Sequence, residues 1–185
     1  MILINALLLS REYASSVVKP GDTVVDATCG KGRDTVLLAN IAGKKGHVYA
    51  FDIQEKSILL TKTLITNNNI NNVTIINDGH ENMDKYISTG VTCIMFNLGY
   101  LPGTDHSLST KGSTTIIAIQ KAMDLLCTRG IITIVIYQGG DTGFEERDMV
   151  IEFCQGINQE QFTVQKTTFE NQKNNPPIFI CIEKL

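Results

Sequence analysis

An apolar run that opens onto a glycine-rich loop constrains the fold of this chain more than any other segment. Residues 24–34 read Val-Val-Asp-Ala-Thr-Cys-Gly-Lys-Gly-Arg-Asp. The β-branched start predicts a buried strand, and the glycines let backbone approach a ligand without an intervening Cβ. A second apolar run, residues 46–52, ends in another acid, Asp52. A strand, a glycine turn, a helix and a strand that ends in a carboxylate predict half of a nucleotide-binding site.

Strand and helix patterns alternate along the chain. Predicted strands cover residues 23–27, 47–52, 73–77, 91–96, 131–137, 162–169 and 178–183. Predicted helices cover residues 7–19, 33–42, 54–67, 114–127 and 144–155. Such alternation is typical of an α/β protein, and the short polar turn before the last strand predicts an antiparallel hairpin. We expect one domain with a Rossmann-like, doubly wound, mainly parallel seven-stranded sheet and an antiparallel C-terminal hairpin.

Composition and charge argue against several classes of protein. The chain has 185 residues, 43% of them hydrophobic, which is enough for one substantial core and too little for two domains. A net charge of −3 makes a DNA partner unexpected, and any RNA contact needs a local basic patch. Five widely spaced cysteines argue against disulfides and a metal site. The apolar residues 1–9 are too short to span a bilayer, so we expect no membrane partner and a cytoplasmic location.

Polar residues that follow the first three strands form the candidate cofactor site, because ligands of an open parallel sheet bind outside the carboxyl ends of its strands. These residues are Asp26, Thr28, Cys29, Gly30, Gly32 and Asp34 after the first strand, Asp52 and Gln54 after the second, and Asp78 and His80 after the third.

The first loop departs from the dinucleotide pattern Gly-x-Gly-x-x-Gly, since its third glycine is absent. Asp26 and Asp34 would repel a pyrophosphate, and they suit a ligand with a cationic end. S-adenosylmethionine carries an ammonium and a sulfonium. Its ribose hydroxyls suit Asp52, and its adenine amino group suits Asp78. The loops therefore predict S-adenosylmethionine as cofactor and disfavour an NAD-linked oxidoreductase.

Simpler interpretations of the same acids stay open. Asp26 is also suited to capping the turn that follows it, and Asp52 to being the N-cap of the next helix. Asp78 and His80 also suit a polar turn without a ligand. The three histidines of the chain show no metal-ligand spacing.

The loop after the fourth strand, Asn97-Leu98-Gly99-Tyr100, carries the reaction hypothesis. The Asn97 side-chain oxygen and the Leu98 carbonyl are placed to accept N–H bonds from an amine, and Tyr100 is placed to stack on a ring. Positioning contributes most to such a methyl transfer, so a strong general base is not required. We predict catalytic roles for Asn97, Leu98 and Tyr100, with Asn97 also next to the cofactor. An ordinary strand-to-loop turn is the alternative.

These loops together resemble the class I S-adenosylmethionine-dependent methyltransferases. Residues 97–100 stand where amino-group methyltransferases of that class have Asn-Pro-Pro-Tyr, although both prolines are missing here. More narrowly, residues 26–34, 97–103 and 137–143 resemble a compact bacterial family labelled putative rRNA methylases. Members of that family are known as the tRNA wobble-uridine methyltransferases that convert 5-aminomethyl-2-thiouridine to 5-methylaminomethyl-2-thiouridine. The resemblance implies tRNA as partner, an exocyclic amine as acceptor and S-adenosylhomocysteine as product.

Two further loops are expected to face the acceptor, which gives a predicted substrate-binding set of Gly99, Tyr100, Asp105, His106, Gln138, Gly139 and Gly140. Candidate phosphate contacts are Lys31, Arg33, Lys111 and Arg147, although solvated surface charge is the commoner role of such residues.

Rival hypotheses are methylation of rRNA, of a small-molecule amine or of a protein, and a ligand-binding scaffold without activity. A homodimer is one option for the assembly.

Overall fold

A computed structural model describes residues 4–99, 110–138 and 143–185. Its helices are α1 (Ala6–Val17), α2 (Arg33–Ala42), α3 (Glu55–Asn67), α4 (Gly112–Leu125) and α5 (Gly143–Gln155), with a 3₁₀ helix at His80–Lys85. Its strands are β1 (Thr23–Asp26), β2 (His47–Phe51), β3 (Val73–Ile76), β4 (Val91–Leu98), β5 (Leu126–Ile136), β6 (Phe162–Thr167) and β7 (Ile178–Lys184).

The strands form one seven-stranded sheet in the order β3-β2-β1-β4-β5-β7-β6. Pairing from β3 across to β5 is parallel, whereas β7 runs antiparallel to both β5 and β6. The predicted fold class and the antiparallel C-terminal hairpin at one edge are therefore confirmed. Strand order reverses between β1 and β4, which is where an open α/β sheet opens a crevice for ligands.

Apolar residues cover both faces of the sheet, as the continuous hydrophobic strands predict. Along β4, Ile94 and Phe96 point into one core while Cys93 and Met95 point into the other. Helices α4 and α5 cover the first face, and α1 and α2 cover the second. Because both faces of β4 are covered in this way, its carboxyl end is where a ligand can contact the strand.

The predicted boundary between α4 and β5 is wrong by several residues. The helix ends at Leu125 and not at residue 127, and β5 begins at Leu126, which pairs with Val91. The register then shifts before Cys93 pairs with Ile131, so residues 127–130 form a bulge. A Cβ at position 130 would lie 2.9 Å from the Cys127 carbonyl oxygen, which is why glycine occupies it. The Arg-Gly pair at 129–130 marks this bulge and not a helix end.

The 3₁₀ helix at His80–Lys85 is a second difference, because it is absent from the predicted elements. The other predicted element ends agree with the structure within two residues. Over the described ranges, none of the helices combines the length and the apolar character needed to cross a membrane.

We expect Ile134→Ala to lower the free energy of unfolding by about 2–5 kcal/mol, because it empties a fully buried position at the centre of the sheet. Leu59→Ala removes a side chain that is 65% exposed on α3 and is the control, with an expected change within about 0.5 kcal/mol. Urea unfolding monitored by circular dichroism measures both. Equal losses for the two variants would contradict the described core.

Candidate functional site

The glycine loop after β1 is held by its own turn and by α3. Gly30 and Gly32 have φ angles of 51° and 78°, in the left-handed region that favours glycine. The Gly32 amide donates to the Cys29 carbonyl oxygen at 2.7 Å, and a Cβ at position 32 would lie 3.0 Å from Thr61 Cα. The Thr61 hydroxyl donates to Cys29 Sγ at 3.4 Å. Burial raises the pKa of the Cys29 thiol, so this side chain stays a neutral part of the loop wall.

Asp52 joins the loop after β1 to the start of α3. Its Oδ2 accepts from the Gly30 amide at 2.9 Å, and its Oδ1 accepts from the Gln54 amide at 2.9 Å. The N-cap residue of α3 is Gln54, so the alternative interpretation of Asp52 as the N-cap does not hold. Two backbone amides fix the orientation of the Asp52 carboxylate, and its remaining lone pairs are suited to ribose hydroxyls.

Asp26 ends β1 as a fully buried carboxyl group. Its Oδ1 accepts from the Thr28 amide at 3.3 Å and its Oδ2 from the Thr35 hydroxyl at 2.6 Å. Burial is the main reason that its pKa is raised from 3.8 to about 7, and the nearby charges of Asp34 and Asp52 raise it further. Asp26 therefore supports the turn, as the simpler interpretation holds, and it also stands among other carboxylates.

Asp34, at the start of α2, bonds two residues that lie far from it in sequence. Its Oδ1 accepts from Arg11 Nε at 2.6 Å, and its Oδ2 accepts from Asn97 Nδ2 at 2.9 Å. Arg11 belongs to α1 and is absent from the predicted site residues, because nothing in helical spacing indicates which surface arginine turns toward a sheet end. The contact brings one positive charge to a cluster of acids.

Asn97 lies at the carboxyl end of β4, directly beside the glycine loop. Its backbone amide donates to the Thr28 hydroxyl at 2.8 Å, and its side-chain nitrogen donates to Asp34. Its side-chain oxygen is buried and has no hydrogen-bond partner among the described residues. A buried amide oxygen without a donor is costly, so it indicates a place for an N–H group of a ligand.

The two residues after Asn97 are held by β5 and by the start of α4. The Leu98 carbonyl, predicted to accept an N–H from the acceptor, accepts from the Tyr137 amide at 3.1 Å in the sheet. Gly99 has a φ of 150°, and its amide donates to the Thr110 hydroxyl at 3.0 Å. Two oxygen atoms, those of the Leu98 carbonyl and the Asn97 side chain, are predicted to accept a hydrogen bond from the amine. The Asn97 oxygen is the one without a partner in the described parts of the chain.

Tyr137 is a further site residue, which the predicted set does not include. Its side chain packs against Gly99, where an added Cβ would lie 3.4 Å from Tyr137 Cβ. It is 42% exposed, and burial of the rest, together with the charge of Asp34, raises the pKa of its phenol. In the sequence, its position at the end of the most hydrophobic strand is the feature that could have indicated this location.

Glu146 on α5 fixes the start of α4 next to this loop. It accepts from the Thr110 hydroxyl at 2.6 Å and from the Thr115 hydroxyl at 2.8 Å. Burial raises the pKa of the Glu146 carboxyl. Since Thr110 also receives the Gly99 amide, one buried carboxyl group on α5 holds the loop after β4 in place.

Asp78 and His80 lie after β3 and are engaged within the chain. The Asp78 carboxylate accepts from the Asn82 side chain at 2.9 Å and from the Tyr86 hydroxyl at 2.8 Å, and the Tyr86 bond is the main cause of its lowered pKa. His80 Nδ1 lies 3.2 Å from the Ala27 carbonyl oxygen, and burial lowers the pKa of the ring. These contacts hold Asp78 and the start of the 3₁₀ helix in place, with His80 against the residue that follows β1.

Gln138 is engaged by partners outside the loop after β4. Its Nε2 donates to the Pro176 carbonyl oxygen at 2.6 Å, and its Oε1 accepts from Arg147 at 3.1 Å. Other predicted substrate residues, Tyr100, Asp105, His106, Gly139 and Gly140, lie outside the described residues. Within the described ranges, no group of three or more His, Cys, Asp or Glu side chains is arranged to hold a metal ion.

Comparison with known proteins identifies the family. A profile of the family described as "Putative rRNA methylase" matches residues 48–183. The tRNA (mnm(5)s(2)U34)-methyltransferase, chloroplastic, of Arabidopsis thaliana is 36% identical over an alignment of 152 residues, and the match covers 76% of this chain and 56% of that protein. The chain belongs to the putative rRNA methylase family. It spans little more than half the length of that curated relative.

Solved structures related to this family share the whole fold. A putative rRNA methylase from Clostridium thermocellum is 56% identical with a TM-score of 0.98, and each chain covers 100% of the other. A putative methyltransferase from Streptococcus mutans, crystallised with S-adenosylhomocysteine, is 37% identical with a TM-score of 0.92 and the same full coverage. The rRNA methylase family to which the chain belongs is one of S-adenosylmethionine-dependent methyltransferases.

The charges of this rRNA methylase family member fit that cofactor. Asp34 and Asp52 are close enough for their charges to act on Asp26, and Arg11 pairs with Asp34. The excess negative charge favours a ligand with an ammonium and a sulfonium over a pyrophosphate. The glycine loop supplies the close backbone approach, and Asp52 is oriented at the end of the neighbouring strand.

We expect the free energy of unfolding to fall as pH rises from about 4 to about 7, because the unfolded chain releases the Asp26 proton near its ordinary pKa while the folded protein retains it up to about 7. Asp26→Asn removes this slope, a change on the order of a few kcal/mol across the window. Urea titrations at several pH values measure it, with the exposed Asp124→Asn as control. The same slope in both variants and wild type would refute the raised pKa.

Proposed function

We propose that this protein is an S-adenosylmethionine-dependent tRNA methyltransferase, which methylates the exocyclic amine of 5-aminomethyl-2-thiouridine at the wobble position to give 5-methylaminomethyl-2-thiouridine. The observation that carries the proposal is the buried side-chain oxygen of Asn97, which lacks a partner among the described residues and lies beside the glycine loop. The name of the Arabidopsis relative specifies tRNA and the modified nucleoside mnm(5)s(2)U34, and this name supports the choice of acceptor.

The cofactor is proposed to lie over the glycine loop. When bound, it supplies an electrophilic methyl group on a positively charged sulfur. Asp52 accepts from its ribose hydroxyls, and the charge of Asp52, together with that of Asp26 when it is ionised, favours its cationic end. Gly30 and Gly32 allow the backbone to lie close to it. Asp78 Oδ1 already accepts from the Gly79 amide and the Asn82 side chain, and Oδ2 accepts from the Tyr86 hydroxyl, so the adenine amino group is proposed to bond the remaining lone pair of Oδ2.

Asn97 orients the acceptor amine. Its side-chain oxygen accepts one N–H of the amine, which directs the nitrogen lone pair away from Asn97 and toward the methyl carbon. As the new N–C bond forms, the bond between the methyl carbon and sulfur would break with its electron pair left on sulfur, which gives S-adenosylhomocysteine. The nitrogen gains positive charge in this step, so the N–H···O bond to Asn97 strengthens during the reaction. The product ammonium then loses a proton to water to give the neutral secondary amine. Asn97 thus contributes through orientation and through charge stabilisation.

Tyr137 is proposed to contact the base that carries the amine. Its ring stands beside Gly99 at the open end of β5, with 42% of the residue exposed. Base stacking on an aromatic ring is how proteins commonly hold an unpaired nucleotide of RNA. The exposed side chains of Lys31 and Arg33 lie at the rim of the loop and are proposed to approach phosphates. Such an enzyme would work in the cytoplasm, where tRNA is available.

A second candidate substrate is rRNA, which the description of the matching family favours. The acidic pI of about 5.6 instead favours a small-molecule amine. Asn97 would orient an amine of any of these substrates in the same way, so the acceptor is a matter for direct measurement.

Asp52→Asn is expected to weaken S-adenosylhomocysteine binding by about tenfold or more, because hydrogen bonds to a charged group are worth about 1.5–3 kcal/mol. Isothermal titration calorimetry measures the dissociation constant. Asp124→Asn on the exposed face of α4 is the matched control and keeps wild-type affinity. An unchanged affinity for Asp52→Asn would exclude this carboxylate as a ribose ligand.

Nucleoside mass spectrometry tests the acceptor. The purified protein, incubated with S-adenosylmethionine and tRNA from a strain that lacks the gene, is expected to convert 5-aminomethyl-2-thiouridine to the methylaminomethyl form. Asn97→Ala is expected to lower the rate on the order of 100-fold. Parallel reactions contain rRNA from the same strain or the free aminomethyl nucleoside. Methyl incorporation confined to rRNA or to the free nucleoside would overturn the tRNA proposal.

A further inference from the structure

We propose that the Arg11–Asp34 ion pair is a positioning device that sets the orientation of the Asn97 side-chain amide. The inference rests on the proposed function, in which Asn97 accepts an N–H of the acceptor. In this inference, Asp34 acts on the reaction by orienting the Asn97 side chain. Arg11, which lies on a different helix, becomes a further residue on which the reaction depends. It also replaces the expected direct contact between Asp34 and the cofactor.

The two ends of an asparagine amide have nearly the same shape and opposite hydrogen-bonding character. Its neighbours therefore decide which end faces a ligand. An ionised carboxylate only accepts hydrogen bonds, so Asp34 can bond the nitrogen of Asn97 and not its oxygen. The observed contact is between Asn97 Nδ2 and Asp34 Oδ2, at 2.9 Å. The oxygen must then point to the opposite side, where it is buried without a described partner.

Arg11 holds the other oxygen of Asp34. Its Nε donates to Asp34 Oδ1 at 2.6 Å, and the Asp34 side chain is only 10% exposed. Without Arg11, Asp34 Oδ1 loses this partner, and the Asp34 carboxylate is no longer fixed in orientation beside Asp26. A carboxylate that can turn no longer holds Asn97 Nδ2 on one side, so the reversed amide becomes accessible.

A reversed Asn97 amide would inhibit the reaction. Its N–H group would point at the lone pair of the acceptor nitrogen, which supplies the electrons for the new N–C bond. A hydrogen bond to that lone pair makes the nitrogen a weaker nucleophile. The backbone of Asn97 would stay in place, since its amide is held separately by the Thr28 hydroxyl. The Arg11–Asp34 pair therefore controls the rate of methyl transfer more than the shape of the site.

The test compares Arg11→Gln, Arg11→Lys and Asp34→Asn with the matched control Arg129→Gln. Arg129 forms an exposed ion pair with Glu183 at 3.0 Å, in the bulge of β5 remote from Asn97. Each variant is measured for S-adenosylhomocysteine affinity by calorimetry and for kcat and KM with tRNA. The Asn97 side-chain amide signals are recorded in ¹⁵N-asparagine-labelled protein and assigned by their loss in Asn97→Asp.

Arg11→Gln and Asp34→Asn are expected to lower kcat by on the order of 100-fold while the affinity for S-adenosylhomocysteine changes little. Their Asn97 amide protons are expected to lose the downfield shift and slow exchange that a bond to a carboxylate confers. Arg11→Lys keeps a positive charge beside Asp34, so it restores a large part of kcat and the wild-type amide signal. Arg129→Gln behaves as wild type.

Two results would overturn the inference. A large loss of S-adenosylhomocysteine affinity in Asp34→Asn with an unchanged amide signal would make Asp34 a cofactor ligand. Wild-type kcat and an unchanged amide signal in Arg11→Gln would make the pair purely structural. The amide signals require no substrate, so a failure of tRNA methylation in the wild-type protein contradicts the proposed function and leaves this test intact.

Discussion

The parallel pairing of β1 with β4 is the interaction on which the rest of the site depends. It places Asp26 opposite Met95 and continues past the strand end, where the Ala27 amide donates to the Met95 carbonyl at 2.8 Å. The glycine loop and Asn97 therefore start from adjacent points at one sheet edge, although about 70 residues of chain separate them. Without this pairing, a cofactor over the loop would not have the Asn97 side chain beside it.

The cluster of acids next to this edge is costly for the folded protein. Asp26 is fully buried and its pKa is raised to about 7, so its ionised form lacks the solvation it would have in water. Arg11 relieves part of the repulsion through Asp34. The remaining negative charge is what a cationic methyl donor would neutralise, which fits the common observation that binding sites retain locally unfavourable groups. In the proposed function, stability and cofactor affinity would be linked through the same carboxyl groups.

Local patterns predicted most of the fold, because long apolar runs and glycine turns specify buried strands wherever they pair. The first helix after the glycine loop, residues 33–42, is one case in which both predicted ends match the structure. The boundary between α4 and β5 failed because Leu126 pairs with Val91 and the Arg129-Gly130 pair forms a bulge. Whether such a pair ends a helix or interrupts a strand depends on a neighbouring strand, and local propensity carries no information about that neighbour.

The sequence by itself determined the α/β class, the family resemblance and the acids and amide that follow successive strands, since these depend on order along the chain. Tertiary structure decided how those groups are used. Asn97 has its side-chain nitrogen bonded to Asp34 and its side-chain oxygen buried without a partner among the described residues, and Arg11 reaches Asp34 from a helix whose pattern does not point to the site. Hydrogen-bond direction depends on which partners meet in space, so only the folded arrangement separates a bonded amide nitrogen from an unbonded oxygen.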